Sequence, residues 1–443
     1  MINYKDNLKK ITSSLKFWEF SFAFPKITKG YRITLGEGGT PCRKSKRLGE
    51  ILDIDHLYFK DEINNPTNSF KDRTAALLIS HARSWEYSKV ICGSNGNQGA
   101  SVAAYTSLEN IDCLNIIPKD IDVGKEAQMI AYNSQIKIKG DSVDQAIKET
   151  LKPKYKSYYQ ATPEYNPLTI EAQKTIAFEI YLQMEQIDWI IIPMGSGGLL
   201  VSLWKGFKEL YQSDLIKKIP KLVGVQSKTM SPIVDKYLGK DSDRKKAINE
   251  KAGDIKSYAL GTLVKNPIYS DIVIKAIKKT NGITLAVPES LILTSLEDLG
   301  RNEGIFAEPS SAMTVAALNM LRQEDTIKTD DKVICLITAS GLKAPYVLEA
   351  ISSRTKTLGT GGILSTKLKI LSQISISSQK GIYGSKLKEI IGSVSLPAIY
   401  QHLKDLESKG LIERKKEGKN VLYFITEEGK KALNALEVLI KLI

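Results

Sequence analysis

The stretch that decides the fold is residues 65–74, NPTNSFKDRT, in which a Pro-Thr-Asn turn runs into the start of a helix. Lys71 stands in the first turn of that predicted helix. The positive end of the helix and partial removal from water both lower the pKa of a lysine there, which makes its amine a usable nucleophile. These neighbours predict a lysine that forms a Schiff base with a carbonyl compound, whereas a lone lysine would be an ordinary solvated side chain.

Short apolar runs alternate with amphipathic stretches across residues 57–342. The clearest runs are residues 89–92, 113–117, 189–192, 222–225 and 333–337. Strands that alternate with helices need crossover connections, which favour a parallel sheet covered by helices on both faces. The sequence therefore predicts an α/β body.

Two Gly-rich loops directly follow predicted strands, which is where open α/β sheets bind ligands. The first, CGSNGNQGAS at 92–101, opens a helix whose exposed amides can bind a carboxylate. The second, PMGSGGLL at 193–200, precedes a predicted helix at 199–210, and its glycines let the backbone approach a phosphate closely. The predicted phosphate-binding residues are Gly195, Ser196, Gly197, Gly198 and Leu199. Taken alone, either loop would be only a tight strand-to-helix turn.

The lysine stretch resembles the cofactor-lysine motif of the threonine synthase group within the fold-type II pyridoxal-phosphate enzymes. LGEGGTP at 35–41 and EGIFAEPSSA at 303–312 extend the resemblance, which covers roughly residues 15–350. It implies a tryptophan synthase β-like fold of two three-layer α/β/α subdomains with mostly parallel sheets. It also implies pyridoxal 5'-phosphate bound by Lys71, and a lyase reaction that converts O-phospho-L-homoserine and water to L-threonine and phosphate.

The resemblance also implies roles for individual side chains. Asn97 is expected to donate to the ring oxygen of the cofactor, and Lys71 to act as the catalytic base. ITASGLK at 337–343 matches the segment that faces the pyridine nitrogen. Thr338 is the expected partner of that nitrogen, with Ser340 as a nearby alternative, and either hydroxyl could instead cap a turn.

One departure from the family concerns the substrate. YNPLTIEAQKT at 165–175 aligns with a segment that often carries an arginine for the substrate phosphate, and Thr169 lies at that arginine's position. Loss of that cation should weaken phosphate binding unless Asn166, Lys174 or another basic residue takes its place. The expected substrate-binding residues are Ser94, Asn95, Gln98, Asn166 and Lys174. A related dehydratase or β-replacement enzyme, acting on serine, threonine or a phosphorylated analogue, remains the alternative.

The last part of the chain differs in character. Residues 354–365 are small, polar and Gly-rich, which is typical of a flexible linker. We therefore predict a catalytic domain at 1–355, a linker at 356–366 and a small domain at 367–443. IYQHLKDLESKGLI at 399–412 resembles bacterial and archaeal winged-helix regulators, which implies a winged helix-turn-helix.

The charge of this small domain favours a polyanionic partner, because it has 14 Lys and Arg against 8 Asp and Glu. The residues expected to contact phosphates are Arg414, Lys415, Lys416 and Lys419. The residues expected to reach a groove are Ser395, Tyr400, Gln401 and His402. DNA binding and a purely regulatory or dimerising role remain alternatives. A third alternative is a transcriptional regulator that uses the cofactor fold as an amino-acid sensor.

Composition excludes several classes of protein. The chain of 443 residues is 42% hydrophobic and carries a net charge of +14, but no apolar run is long enough to span a membrane. The first ten residues do not read as a secretory signal, so a cytoplasmic protein is expected. The four cysteines form no CxxC pair, which argues against a metal site or a disulfide framework.

The resemblance to the fold-type II pyridoxal-phosphate enzymes also implies a homodimer.

Overall fold

The computed structural model describes residues 2–11, 14–239, 257–344, 347, 362–377, 381–391, 396–417 and 420–442. Contacts between residues divide the chain into two compact units, Met1–Leu348 and Glu349–Ile443. Residues 356–361 of the predicted linker lie outside the described residues. No helix in the described ranges combines the length and the apolar character that crossing a bilayer requires.

The first unit contains ten strands in its described part. They are β1 (Cys42–Lys44), β2 (His56–Asp61), β3 (Lys89–Gly93), β4 (Asp112–Ile117), β5 (Gln135–Ile138), β6 (Tyr159–Gln160), β7 (Trp189–Pro193), β8 (Lys221–Ser227), β9 (Ile283–Val287) and β10 (Lys332–Ile337). All five apolar runs of the sequence lie within strands, namely β3, β4, β7, β8 and β10. Their Val, Ile and Leu side chains suit strands that are covered on both faces.

The α-helices of this unit occupy the connections between strands. They are α1 (Tyr4–Lys9), α2 (Leu48–Ile51), α3 (Lys71–Ser84), α4 (Asn97–Ser107), α5 (Val123–Ala131), α6 (Val143–Glu149), α7 (Leu168–Gln173), α8 (Thr175–Gln183), α9 (Gly198–Gln212), α10 (Pro232–Tyr237), α11 (Ser270–Lys279), α12 (Glu289–Asp298) and α13 (Pro309–Gln323). The helix predicted at 199–210 is confirmed as α9.

The strands form two sheets. The larger has the order β1-β2-β10-β7-β8-β9 and the smaller the order β5-β4-β3-β6. Every neighbouring pair is parallel except β1 with β2. Because parallel strands end at the same edge of a sheet, the loops after β3, β7 and β10 lie at carboxyl edges, where α/β proteins bind ligands. The predicted α/β body with mostly parallel sheets is confirmed.

The second unit is a small helical domain with a three-stranded antiparallel sheet of order β11-β13-β12. Its elements are α14 (Gly362–Ile376), β11 (Ile382–Tyr383), α15 (Gly384–Ile391), α16 (Leu396–Ser408), β12 (Ile412–Glu417), β13 (Asn420–Ile425) and α17 (Glu427–Leu442). Residues 362–366, which were predicted to belong to the linker, are helical, since α14 begins at Gly362. The helical spacing of Leu364, Leu368 and Leu371 extends through that segment.

A compact apolar core holds the second unit together. Ile399, Leu403 and Leu406 recur at helical spacing on α16 and are buried against Ile370 of α14 and Ile412 of β12. The exposed side of α16 is therefore its polar side, and it faces solvent within this unit.

Candidate active site

A cavity of about 110 Å³ opens at the carboxyl ends of β3, β7 and β10, and thus draws its wall from both sheets of the first unit. Most of the residues predicted from the sequence line it. They are Lys71, Ser94, Asn95, Asn97, Gln98, Gly195, Ser196, Gly197, Gly198, Leu199 and Thr338. Segments that are far apart in the sequence are thereby brought into one site.

Lys71 is the first residue of α3 and lies in the wall of the cavity. Burial lowers the pKa of Lys71 below its ordinary value, and the nearby carboxylates of Glu164 and Glu308 offset this only in part. The turn before it is fixed to the end of β10, because the Phe70 amide donates to the Thr338 carbonyl over 3.0 Å. Lys71 is therefore a positioned amine that loses its proton more readily than a surface lysine does.

The second Gly-rich loop forms the start of α9. Gly197 has φ of +91°, a left-handed conformation that favours glycine, and α9 begins at the next residue. The first backbone bond of the helix runs from Val201 to Gly197, so the amides before Val201 have no partner within the helix. Free amides at a helix start in a cavity wall suit a phosphate.

Asn97 begins α4 and is buried at the cavity. Its amide Nδ2 donates to Glu308 Oε2 over 3.1 Å, while its Oδ1 has no hydrogen-bond partner within the described part of the chain. Because an amide nitrogen has two hydrogens, Asn97 can hold Glu308 with one and offer the other to a bound group. An unpaired buried oxygen in a cavity wall also indicates that a polar group of a ligand binds there.

The other residues of the first Gly-rich loop are already partly engaged. The Ser94 hydroxyl accepts hydrogen bonds from the amides of Gly96 and Gly99 over 3.0 and 3.1 Å, and thus closes the turn into α4. Asn95 donates to the Gly261 carbonyl over 2.9 Å. Gln98 has an unpaired buried Oε1. Ser94 and Asn95 shape the loop, and Gln98 has the most unused hydrogen-bonding capacity.

The structure separates the two hydroxyls after β10. Thr338 lines the cavity, and its hydroxyl is 2.9 Å from that of Ser311. Ser340 instead accepts a bond from the Leu342 amide over 3.2 Å and caps a turn. Of the two alternatives from the sequence, Thr338 is therefore the one placed at the cavity.

Two expected substrate-binding residues do not reach the cavity. Asn166 donates to the Tyr159 hydroxyl and to the Gln160 carbonyl over 3.1 and 2.8 Å. Lys174 is buried elsewhere, where it forms ion pairs of 2.6 and 3.0 Å with Glu171 and Glu209. Neither residue lines the cavity, and the structure therefore does not bring either one to the position of the missing arginine.

Two residues that sequence reasoning missed are carboxylates in the cavity wall. Glu164 accepts a hydrogen bond from the Ser196 hydroxyl over 2.5 Å. Glu308 is buried and is held by Ser310 and by Lys125, whose Nζ is 3.3 Å away. Burial alone would raise the pKa of Glu308, but the Lys125 charge and the hydrogen bonds from Ser310 and Asn97 outweigh it and lower the pKa. Glu308 is therefore ionised.

These features fit a phosphorylated aldehyde. Lys71 supplies the amine, the start of α9 supplies amides for the phosphate, and Asn97 and Thr338 supply hydrogen bonds for a polar ring. Glycine is favoured at the phosphate loop, because Gly197 has φ of +91° and a Cβ there would lie 2.5 Å from Val273 Cγ2. Fold and site together define the class of α/β enzymes that carry such a cofactor on a lysine.

The chain belongs to the pyridoxal-phosphate dependent enzyme family, whose sequence profile matches residues 33–339. It is similar to the threonine synthase of Methanocaldococcus jannaschii, with 34% identity over 74% of this chain and 80% of that protein. The threonine synthase of Methanosarcina acetivorans is 32% identical over 78% of this chain and 84% of its own length. The chain is therefore an enzyme, a lyase that uses pyridoxal phosphate.

Solved structures support the fold. Maize serine racemase superposes with a TM-score of 0.58 at 19% identity, and covers 71% of this chain and 92% of its own. Serine racemase from Dictyostelium discoideum gives 0.54 at 23% identity, with coverage of 68% and 92%. Threonine deaminase isoform 2 from Solanum lycopersicum gives 0.55 at 20%, with coverage of 70% and 87%.

Proposed function

We propose that the first unit removes the α-proton and a β- or γ-substituent from a small L-α-amino acid. The observation that carries this proposal is the position of Lys71, whose pKa is lowered by burial in a wall that also holds the phosphate loop. When bound, pyridoxal phosphate supplies an electron sink for the negative charge left at Cα. The chain's own residues supply the base, the orientation and the exclusion of water.

Lys71 is the group that moves protons in this proposal. Its neutral amine takes the proton from Cα. With a β-leaving group, the electrons of that C–H bond end in a Cα=Cβ double bond while the leaving group departs with the electrons of its own bond. With a γ-leaving group, a second proton must also leave Cβ and a proton is later returned at Cγ, so the amine acts more than once. The amides at the start of α4, next to Ser94 and Gln98, bind the substrate carboxylate. These contacts hold the Cα–H bond toward the amine.

The relatives favour one substrate within this class. Two proteins named threonine synthase exceed 30% identity over most of their lengths, which supports O-phospho-L-homoserine as the substrate. In that reaction, phosphate leaves from Cγ and water adds at Cβ, so that O-phospho-L-homoserine and water give L-threonine and phosphate. A dehydratase reaction on serine or threonine instead gives a 2-oxo acid and ammonia, with no net consumption of water.

One panel assay tests the proposal. Purified protein loaded with pyridoxal phosphate is incubated with hydroxy- and phospho-amino acids, and phosphate, threonine, 2-oxo acids and ammonia are measured separately. Turnover that depends on Lys71 supports the proposal. A protein that binds the cofactor yet converts none of these amino acids, with no change of its absorbance on adding them, contradicts it.

We further propose that the second unit is a winged helix that contacts DNA. The exposed side of α16 carries Tyr400 and Gln401, and the exposed strand β12 carries Arg414, Lys415 and Lys416. A polar helix beside a basic hairpin fits a groove and its flanking phosphates. His402 is half-buried. Ser395 and Lys419, which were expected to contribute, lie outside the described residues.

Salt dependence tests the DNA proposal. Full-length protein is titrated onto labelled duplexes at about 50 and about 200 mM salt, where affinity should fall steeply if several phosphates are contacted. Lys416→Ala should reduce the slope by about one, while Gln401→Ala should relax sequence preference. Lys430→Ala, on α17, is the matched control. If the affinity for DNA does not depend on salt, or if no DNA is bound, the DNA proposal fails and a regulatory or dimerising role of the unit is favoured.

A further inference from the structure

Residues 163–169 form one side of the cavity and bring two polar groups to it. Glu164 lies in the short 3-10 turn Pro163–Tyr165, and Thr169 lies on α7. Thr169 is 1% exposed, and its hydroxyl has no hydrogen-bond partner within the ranges that the structure describes. A buried hydroxyl that lines a cavity without a partner indicates a ligand atom that completes it.

The wall of this cavity is poor in positive charge. Among the described residues that line it, Lys71 is the only cation, whereas Glu164 and Glu308 are both carboxylates. Lys71 is needed for the cofactor, and the phosphate of that cofactor adds further negative charge. A second phosphate would therefore enter a site that already repels it.

The buried lysines behind the wall do not change this balance. Lys125 is paired with Asp122 over 2.5 Å and with Glu308 over 3.3 Å. Lys343 donates to the Thr67 carbonyl over 2.7 Å. Neither of the two lysines lines the cavity, and withdrawing Lys125 would leave two buried carboxylates without their cation.

We propose that Glu164 and Thr169 determine substrate specificity, and that they select a side chain ending in a hydrogen-bond donor without negative charge. A hydroxyl or an ammonium group can donate to the Glu164 carboxylate and exchange a hydrogen bond with the Thr169 hydroxyl. A phosphorylated side chain can accept a hydrogen bond from the Thr169 hydroxyl, but it offers no donor to Glu164 and is repelled by that carboxylate. This inference rests on the proposed lyase function, and it selects the unphosphorylated substrates of that class over the O-phospho-L-homoserine that the relatives favour.

The first test compares matched substrates on the cofactor-loaded enzyme. The kcat/KM for L-serine should exceed that for O-phospho-L-serine by about tenfold or more, and L-homoserine should likewise be preferred over O-phospho-L-homoserine. L-2,3-diaminopropionate tests whether a side chain that ends in an ammonium group is accepted, and L-serine tests the same for a hydroxyl group. Glu164→Gln removes the charge with little change of shape, and should reduce each preference by about tenfold.

Two further variants sharpen the comparison. Thr169→Arg places a cation at the position where the family often has one, and should shift the preference further toward the phosphorylated substrates. Glu185→Gln removes one carboxylate from the exposed surface and should leave every ratio unchanged. Thermal melting shows whether Thr169→Arg folds. If that variant does not fold, the substrate preferences of Glu164→Gln alone test the specificity inference.

A binding measurement is independent of turnover. Calorimetric titration of the loaded enzyme with L-2-amino-5-phosphonopentanoate and with L-norvaline compares the same carbon chain with and without a phosphonate. The phosphonate should bind about tenfold more weakly than L-norvaline, and Glu164→Gln should narrow that gap.

The outcomes separate this inference from the proposed function. Turnover that favours the phosphorylated amino acids, or ratios that Glu164→Gln leaves unchanged, overturns the specificity inference while the lyase function stands. If no amino acid is converted, the lyase function fails, and the calorimetric comparison still decides whether the cavity rejects a phosphonate.

Discussion

The ammonium group of Lys343 donates a hydrogen bond of 2.7 Å to the carbonyl oxygen of Thr67. This bond ties the turn after β10 to the turn before α3, and therefore helps to hold Lys71 in place. Lys343 is only 3% exposed, and burial, aided by the charge of Lys125, lowers its pKa to about 8, although Asp72 and other carboxylates favour its charge. The enzyme thus keeps a costly buried charge against the turn that leads into α3.

The lowered pKa of Lys343 predicts a pH dependence of stability. Because the folded pKa lies below the unfolded one, the unfolded chain binds more protons between about pH 8 and about pH 10.5, and stability rises with pH in that window. Lys343→Met lacks this contribution. The free energy of unfolding of the wild type, compared with that of Lys343→Met, should therefore increase by about 2 kcal/mol between about pH 7 and about pH 10. Urea unfolding at several pH values measures it, and parallel curves would refute the prediction.

A buried ion cluster centred on a residue of α3 predicts that removing its positive charge causes a large loss of stability. Arg73 is fully buried and binds both Glu62, over 2.8 Å, and Glu179. Arg73→Met leaves two buried carboxylates with less compensation and should lower the free energy of unfolding by about 3–5 kcal/mol. Lys218→Met, which breaks an exposed pair with Asp188, should cost less than about 1 kcal/mol. Equal losses in chemical denaturation would contradict this account.

The parts of the fold that were predictable are those with a local signature. A buried parallel strand is a short run of Val and Ile, and the loop after it needs glycine, so β7 and the loop at 193–200 could be read directly. Lys71 could be found because its neighbours form a motif. In each case the information lies within about ten residues of the chain.

The two carboxylates that were missed could not be assigned to the site from local sequence. Glu164 becomes a site residue only because the chain brings its turn to the cavity, and an isolated glutamate reads as a surface residue. Glu308 stands within the segment 303–312 that extends the resemblance, but the segment alone does not show that its carboxylate lines the cavity. The position of Lys174 could have been foreseen, because five residues along a helix place it about 140° around the axis from Thr169. If Thr169 lines the cavity, Lys174 must face away, as it does.

The role of Lys71 is tested by its removal. Lys71→Ala should lose the bond to the cofactor and lower the rate by about 10³-fold or more, because it removes both the attachment and the base. Borohydride reduction followed by peptide mapping measures the attachment, and Lys71→Arg controls for the loss of positive charge. A cofactor label on another lysine of the wild type would contradict the assignment.

Gly197 predicts a dependence of cofactor affinity on a single methyl group. It has φ of +91°, and a Cβ there would lie 2.5 Å from Val273 Cγ2. Gly197→Ala must therefore adopt a strained backbone and push against a buried side chain, which shifts the amides at the start of α9. Affinity for pyridoxal phosphate, measured from the change in absorbance, should fall by about thirtyfold.

A compensating change separates the two causes of that loss. Val273→Ala removes the colliding methyl group, so the double variant should bind the cofactor about tenfold more tightly than Gly197→Ala alone. The rest of the loss should persist, because an alanine at positive φ still strains the backbone. Val273→Ala alone serves as the matched control, since it changes the packing without touching the loop. If Gly197→Ala binds the cofactor as the wild type does, the amides at the start of α9 are not the phosphate site that this geometry requires. If Val273→Ala restores nothing, the collision with Val273 does not contribute and backbone strain causes the whole loss.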